Sequence, residues 1–142
     1  MRANPTLIPN AFEEVLRLES TLQSFSRLAT SDSDVEGITI PAGARVIVLF
    51  ASANRDERKW EQADTFDVTR NTAGHVGFGC GIHLCAGANL ARLEGQAILG
   101  ALARRVERFE LGASTRKLNN VIRSLRTLSV TVRAVQATTK PS

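Results

Sequence analysis

The stretch 77–87, GFGCGIHLCAG, constrains this chain more than any other. Four glycines, one histidine and two cysteines stand directly before the longest helical pattern in the sequence. There Leu90, Leu93, Ala97, Ile98, Ala101, Leu102 and Val106 recur at i, i+3, i+4 spacing, which predicts a helix over 86–108. Glycine-rich turns before helices often cradle phosphate. However, the G-x-G-x-x-G spacing is absent, and no Lys-Ser/Thr pair follows as a P-loop requires. Cys80, His83 and Cys85 supply three zinc donors, with His75 as a possible fourth, in a spacing that matches no common finger. A lone cysteine is usually a small buried hydrophobe. Cys85 differs in its setting, because it falls at the predicted helix N-terminus. Unpaired N–H groups and the helix dipole there favour a thiolate. Glycines on the approach let the backbone pass close to a flat, bulky ligand. A thiolate on such a loop is a suitable axial ligand for haem iron.

The rest of the chain sets this loop in a mixed α+β pattern. Asn10 with Glu13 reads as an N-cap and its partner, and Phe12, Val15, Leu16 and Leu22 give an apolar stripe, so a helix is expected over 10–20. Residues 26–34 read as a short strand entering a polar turn. Val35, Ile38 and Ile40, the turn Pro41-Ala42-Gly43 and the run Val46–Phe50 read as a β-hairpin whose second strand is buried on both faces. Residues 51–78 form a long loop, which in a compact domain is often functional. Two late strands are expected near 119–124 and 128–135, and 136–142 reads as a frayed tail.

Composition removes several classes. The chain has 142 residues, 43% of them hydrophobic and 23% charged, as a globular domain has. No apolar run approaches the roughly 20 residues of a membrane span, and MRANPTLIPN does not have the pattern of a signal peptide. Two cysteines cannot form a disulfide scaffold, so a reducing, cytoplasmic setting is the default. Residues 1–71 carry a net charge of −3 and residues 72–142 a net charge of +7. The basic half suits an anionic partner or is simply a solvated surface. Six Phe, one Trp and no Tyr provide few stacking platforms, which argues against single-stranded nucleic acid.

FGCGIHLCAG resembles the haem-binding loop of the cytochromes P-450, the haem-thiolate monooxygenases, in their soluble bacterial form. The family pattern F-x-x-G-x-[HR]-x-C-x-G is met at Phe78, Gly81, His83, Cys85 and Gly87. The resemblance implies haem b (iron protoporphyrin IX) as cofactor, with Cys85 as the iron ligand. It further implies His83 on a propionate, Phe78 packed beside the thiolate, and Gly79, Gly81 and Gly87 in the cofactor-binding loop. Glu14-Val15-Leu16-Arg17 resembles the family's E-x-x-R, and Phe66-Asp67-Val68-Thr69-Arg70 its F-D-x-x-R. Together they imply a buried network of Glu14, Arg17 and Arg70. Ser26-Arg27-Leu28-Ala29 is similar to the strand whose arginine binds the other propionate, which implicates Arg27. IPAGARVIVLFASANRD and the segments around Arg123-Ser124-Leu125 and Leu128-Ser129-Val130 are similar to later parts of the same fold. Ser124 and Ser129 stand where the family often has Gly and Pro, and Cys80 where bacterial members often have His.

The resemblance implies one partial domain over 1–142, the C-terminal portion of a fold that is mostly α when complete. It runs from an E-x-x-R helix through a β-hairpin, a meandering loop, the haem loop and a long helix to a terminal β pair. The oxygen-activating helix with its acid–alcohol pair has no counterpart here, so no residue is assigned proton delivery. Expected partners are a small organic substrate in the complete enzyme and a ferredoxin-type electron donor, docked through Arg92, Arg104 and Arg105. No nucleic-acid or membrane partner is expected. Other readings are a non-catalytic remnant that binds haem loosely, or a small metal- or nucleic-acid-binding module. An isolated piece of this kind should expose much apolar surface and be poorly stable.

Overall fold

A computed structural model describes residues 1–135; the expected tail at 136–142 lies outside the described residues. Helix α1 spans Ile8–Glu19, α2 Phe50–Ala53 and α3 Ala88–Arg105. Strands β1 (Ser24–Leu28), β2 (Ser33–Val35), β3 (Ile38–Ile40) and β4 (Arg45–Leu49) follow α1, and β5 (Val106–Lys117) and β6 (Ser124–Ala134) follow α3. Three two-stranded antiparallel sheets result, so the expected mixture of helix and sheet is observed.

Helix α1 begins earlier than the Asn10 signal implies. Leu7 is its N-cap, and Pro9 sits in the first turn, where its missing N–H removes no helical bond. Asn10 is not a cap. Its side-chain amide donates to the carbonyls of Val68 and Arg70, tying α1 to the distant loop. The helix ends at Ser20, whose φ of 39° places it in the left-handed region while its N–H donates to Leu16 O. The buried stripe is Ile8, Ala11, Glu14 and Arg17, two apolar and two charged residues. Val15 is exposed, and Phe12 and Leu16 are half-buried.

The expected hairpin is partitioned differently. β3 pairs back onto β2 through the turn at Glu36-Gly37, and β4 pairs with β1, placing Arg27 opposite Val46. Pro41-Ala42-Gly43 turns the chain between two separate sheets. β4 is largely exposed, not buried on both faces, because β1 is its sole strand partner among the described residues.

The segment after α2 is a packed meander. Trp60, Ala63 and Thr72 are buried in it, and Trp60 Nε1 donates to Ala53 O at 3.1 Å. Helix α3 packs on α1 through small residues. A Cβ built on Gly95 would lie 2.1 Å from Cε2 of Phe12, so only glycine permits this approach. The apolar stripe expected to face the core faces away from it: Leu90, Leu93 and Ile98 are 59%, 68% and 59% exposed. The helix also stops at Arg105. From Val106, which is buried, the chain enters a long hairpin, so 106–117 pairs with 124–134 instead of the short late strands expected.

Candidate functional site

The loop 77–87 is shaped by backbone hydrogen bonds that fix Cys85 where the loop closes onto α3. The Cys85 N–H donates to Phe78 O at 2.8 Å, and Gly79 N–H donates to Val76 O at 2.9 Å. Between them Gly81–His83 makes one 3-10 turn. Cys85 O accepts from Ala88 N–H at 3.1 Å, which joins the loop to the first turn of α3, with Gly87 as N-cap. Gly79 has φ +77°, and a Cβ there would sit 2.8 Å from His83 O, so this corner requires glycine. Gly81, at φ +57°, also occupies the left-handed region. Gly87 lies beside the sulfur: a Cβ there would stand in ordinary contact with Cys85 Sγ, at 3.9 Å.

Above the loop lies a cavity of about 660 Å³. Phe12 and Leu16 of α1, Phe25 of β1, Phe50 of α2 and Phe78 of the loop form apolar walls, while Cys85, His83 and Arg27 also line it. Phe25 and Phe50 meet edge to face with centroids 6.3 Å apart. Arg27 lies over the Phe25 ring at 5.6 Å and donates to Ser26 O. Cys85 and Cys80 are both free and exposed, but Cys80 does not line the cavity. His75 is no zinc donor: its Nε2 is 2.9 Å from Glu13 Oε2, and no group of three or more possible metal ligands occurs among the described residues.

Chemically, the cavity offers one soft sulfur donor, apolar walls for a flat body, and two basic side chains for anionic edges. A Cβ on Gly77 would lie 2.9 Å from Leu16 O, so glycine also keeps α1 and the loop in close approach beneath the cavity. These residues fit a haem with an axial thiolate and two propionates.

The floor of the site is held by two carboxylates on consecutive positions of α1. Glu14 and Arg17, both fully buried, form a bidentate pair at 2.7 and 2.8 Å. Arg17 Nη1 donates to the carbonyls of Asn54 (2.7 Å) and Ala63 (2.8 Å) and its guanidinium lies 5.4 Å from the Trp60 ring centroid. Arg70 Nε donates to Glu14 Oε1 at 3.1 Å, and the Asp67 N–H to the same oxygen at 3.0 Å. Glu14, Arg17 and Arg70 are thus brought together, and the meander is pinned to α1. Burial alone would raise the Glu14 pKa, but hydrogen bonds from Arg17, Asp67 and Arg70 outweigh it and hold the carboxyl below its ordinary value.

The second carboxylate, Glu13, is not the capping partner that its spacing from Asn10 implies. Glu13 accepts from Arg92 of α3 at 2.6 and 3.1 Å and from His75 at 2.9 Å. Arg92 is therefore an internal tie and not a free docking cation, and its guanidinium lies 4.9 Å from the Phe78 ring centroid. The other two proposed docking arginines, Arg104 and Arg105, are exposed. Asn54 is a further bridge that its local sequence does not mark. Buried at 1% exposure, it donates to Ser20 Oγ and accepts from Val76 N–H, linking the end of α1 to the start of the loop. Its only sequence signal is its place in ASANRD, since nothing local marks an Asn as a long-range bridge.

Fold and loop together define a P450, and the sequence profile described as Cytochrome P450 matches residues 1–134. The chain belongs to the cytochrome P450 family. It is 48% identical over 131 residues to Cytochrome p450 CYP199A2 of Rhodopseudomonas palustris, covering 92% of this chain and 32% of that protein. It is 47% identical over 107 residues to the beta-dihydromenaquinone-9 omega-hydroxylase of Mycobacterium bovis, covering 75% of this chain and 22% of that one. The structure of CYP109Q5 from Chondromyces apiculatus superposes with a TM-score of 0.87 at 38% identity, over 96% of this chain and 36% of that chain. The chain thus spans about a third or less of the length of these relatives. No helix among the described residues is long and apolar enough to cross a membrane.

Proposed function

We propose that this chain is the haem-ligating, C-terminal portion of a P450 monooxygenase, one partial domain in which Cys85 is the axial ligand to the iron of haem b. The placement of Cys85 carries this reading. Cys85 stands where a loop built on Gly79 and Gly81 closes onto α3, and it lines a 660 Å³ apolar cavity together with Arg27 and His83. Arg27 and His83 would hold the two propionates from different elements, β1 and the loop. Phe78 would pack beside the sulfur and limit water there. Gly87 lies next to Sγ, and the free N–H groups opening α3 would donate toward the thiolate and stabilise its charge. Glu14, Arg17 and Arg70 would keep the meander beneath the loop. When bound, haem supplies the activation of dioxygen for insertion of an oxygen atom into a small organic substrate. Among this chain's residues the role is ligation and orientation; none is assigned proton delivery. The setting would be the reducing cytoplasm, with a ferredoxin-type protein as electron donor.

The test is to express the chain with haem, reduce it and add carbon monoxide. A thiolate-type Soret band is expected from the wild type and from Cys80→Ala, and not from Cys85→Ala. An unchanged spectrum in Cys85→Ala, or no haem uptake by the wild type, would overturn the reading.

A further inference from the structure

Glu13 is the point where three elements meet, and both groups it holds lead to the same two residues of the loop. One oxygen faces Arg92 Nε at 2.6 Å, and Arg92 in turn lies over the ring of Phe78. The other is 2.9 Å from His75 Nε2, while His75 Nδ1 accepts the Gly77 N–H at 3.0 Å. Because Nδ1 is an acceptor, Nε2 must carry the proton that Glu13 receives, which fixes the neutral tautomer and the ring plane. Gly77 and Phe78 are therefore each held by one partner of Glu13, and Phe78 O is the acceptor of the Cys85 N–H. The other polar groups facing the clamp do not compete for Glu13: Glu14 is occupied by Arg17 and Arg70, and Asn54 by Ser20 and Val76.

We propose that Glu13 is a positioning residue for the sulfur, acting through Arg92 on Phe78 and through His75 on Gly77 to set the Phe78–Cys85 hydrogen bond. A half-buried carboxylate bound bidentately to a planar guanidinium is stiff, since both partners lose freedom only once for two bonds, and His75 adds a third to the same carboxylate. The inference rests on the haem-thiolate reading for its consequence at the iron, but its geometric part stands on this chain alone.

Two measurements on the full chain test it. Amide hydrogen exchange, followed in Glu13→Gln without haem, should speed up about tenfold at Cys85 and Gly77 as the clamp opens locally. Arg17 and Asp67, on the neighbouring network, should not change. The control is Glu19→Gln, another α1 carboxylate, which sits 3.4 Å from Arg123 and should move neither site. With haem and carbon monoxide, Glu13→Gln should lose part of the thiolate-type Soret band, while Glu19→Gln should keep it. Unaltered exchange at Cys85 in Glu13→Gln overturns the positioning role. If the wild type binds no haem, the function proposed above falls, while the exchange result still decides what Glu13 does.

Discussion

At the residue scale the decisive pattern is two adjacent glutamates that point to different networks. Glu14 and Arg17 are both fully buried with no side-chain exposure, which is tolerable because every donor and acceptor is used. Breaking such a pair leaves a buried charge uncompensated, at about 3–5 kcal/mol. For both Glu13 and Glu14, burial opposes ionisation but hydrogen bonds from their cationic partners outweigh it, and both pKa values lie below the ordinary 4.5. With folded-state values depressed, the unfolded chain binds more protons in acid, so stability is complete above pH 4.5 and falls as pH drops through the folded-state values. Glu14→Gln should lose about 3–5 kcal/mol at neutral pH and flatten this acid limb. Urea unfolding between pH 7 and pH 3 measures both, and an acid limb as steep as that of the wild type would contradict the assignment.

At the element scale the helices and the loop were legible from local pattern, and the strand partners were not. Gly-rich spacing ahead of Cys85 identified the loop because φ above zero at Gly79 and Gly81 is a local requirement. The apolar period located α3 within a few residues of its ends. The same period could not reveal which side of α3 meets α1, because Leu90 and Leu93 make a stronger stripe than Gly95 and Gly100, which lie against Phe12 and Ile8 of α1. Gly95→Ala should therefore destabilise by about 1–3 kcal/mol, since Phe12 must yield to a Cβ built inside its ring edge. A thermal melt checks it, and Phe12→Leu added to Gly95→Ala should recover part of the loss. Pairing of β4 with β1 joins residues about twenty positions apart around β2 and β3. Strand sequences carry little information about such a choice, so the nearer partner β3 was the natural but incorrect expectation.

At the scale of the whole molecule the buried core is small. Seven hydrophobic residues are buried among those described, while Ile82, Leu84, Leu90, Leu93 and Ile98 are 57–96% exposed. Exposed apolar surface on this scale normally belongs against another surface. Purified alone, the chain should melt at a low midpoint or self-associate with rising concentration, as light scattering and calorimetry would show; a cooperative, concentration-independent melt at high temperature is the contrary result. The charge is similarly divided, with the net excess of +7 in the second half. Arg104 and Arg105 at the end of α3 remain exposed candidates for an acidic electron donor. Changing both to Glu should slow reduction by a ferredoxin-type protein, and an unaltered rate in stopped-flow measurements would remove them from that role.

By itself the sequence determined the residue types and spacings that mark the family: a cysteine after a glycine-rich turn, at the mouth of a helix, with E-x-x-R upstream. These are short-range facts, written in neighbouring residues. Tertiary structure alone decided that Asn10 bridges to Val68 and Arg70, that Arg92 turns inward to Glu13, and that α3 meets α1 at Gly95 and Gly100. Each of these depends on which surfaces arrive within a few ångströms after folding, and a polar or small side chain carries no local mark of a partner tens of residues away.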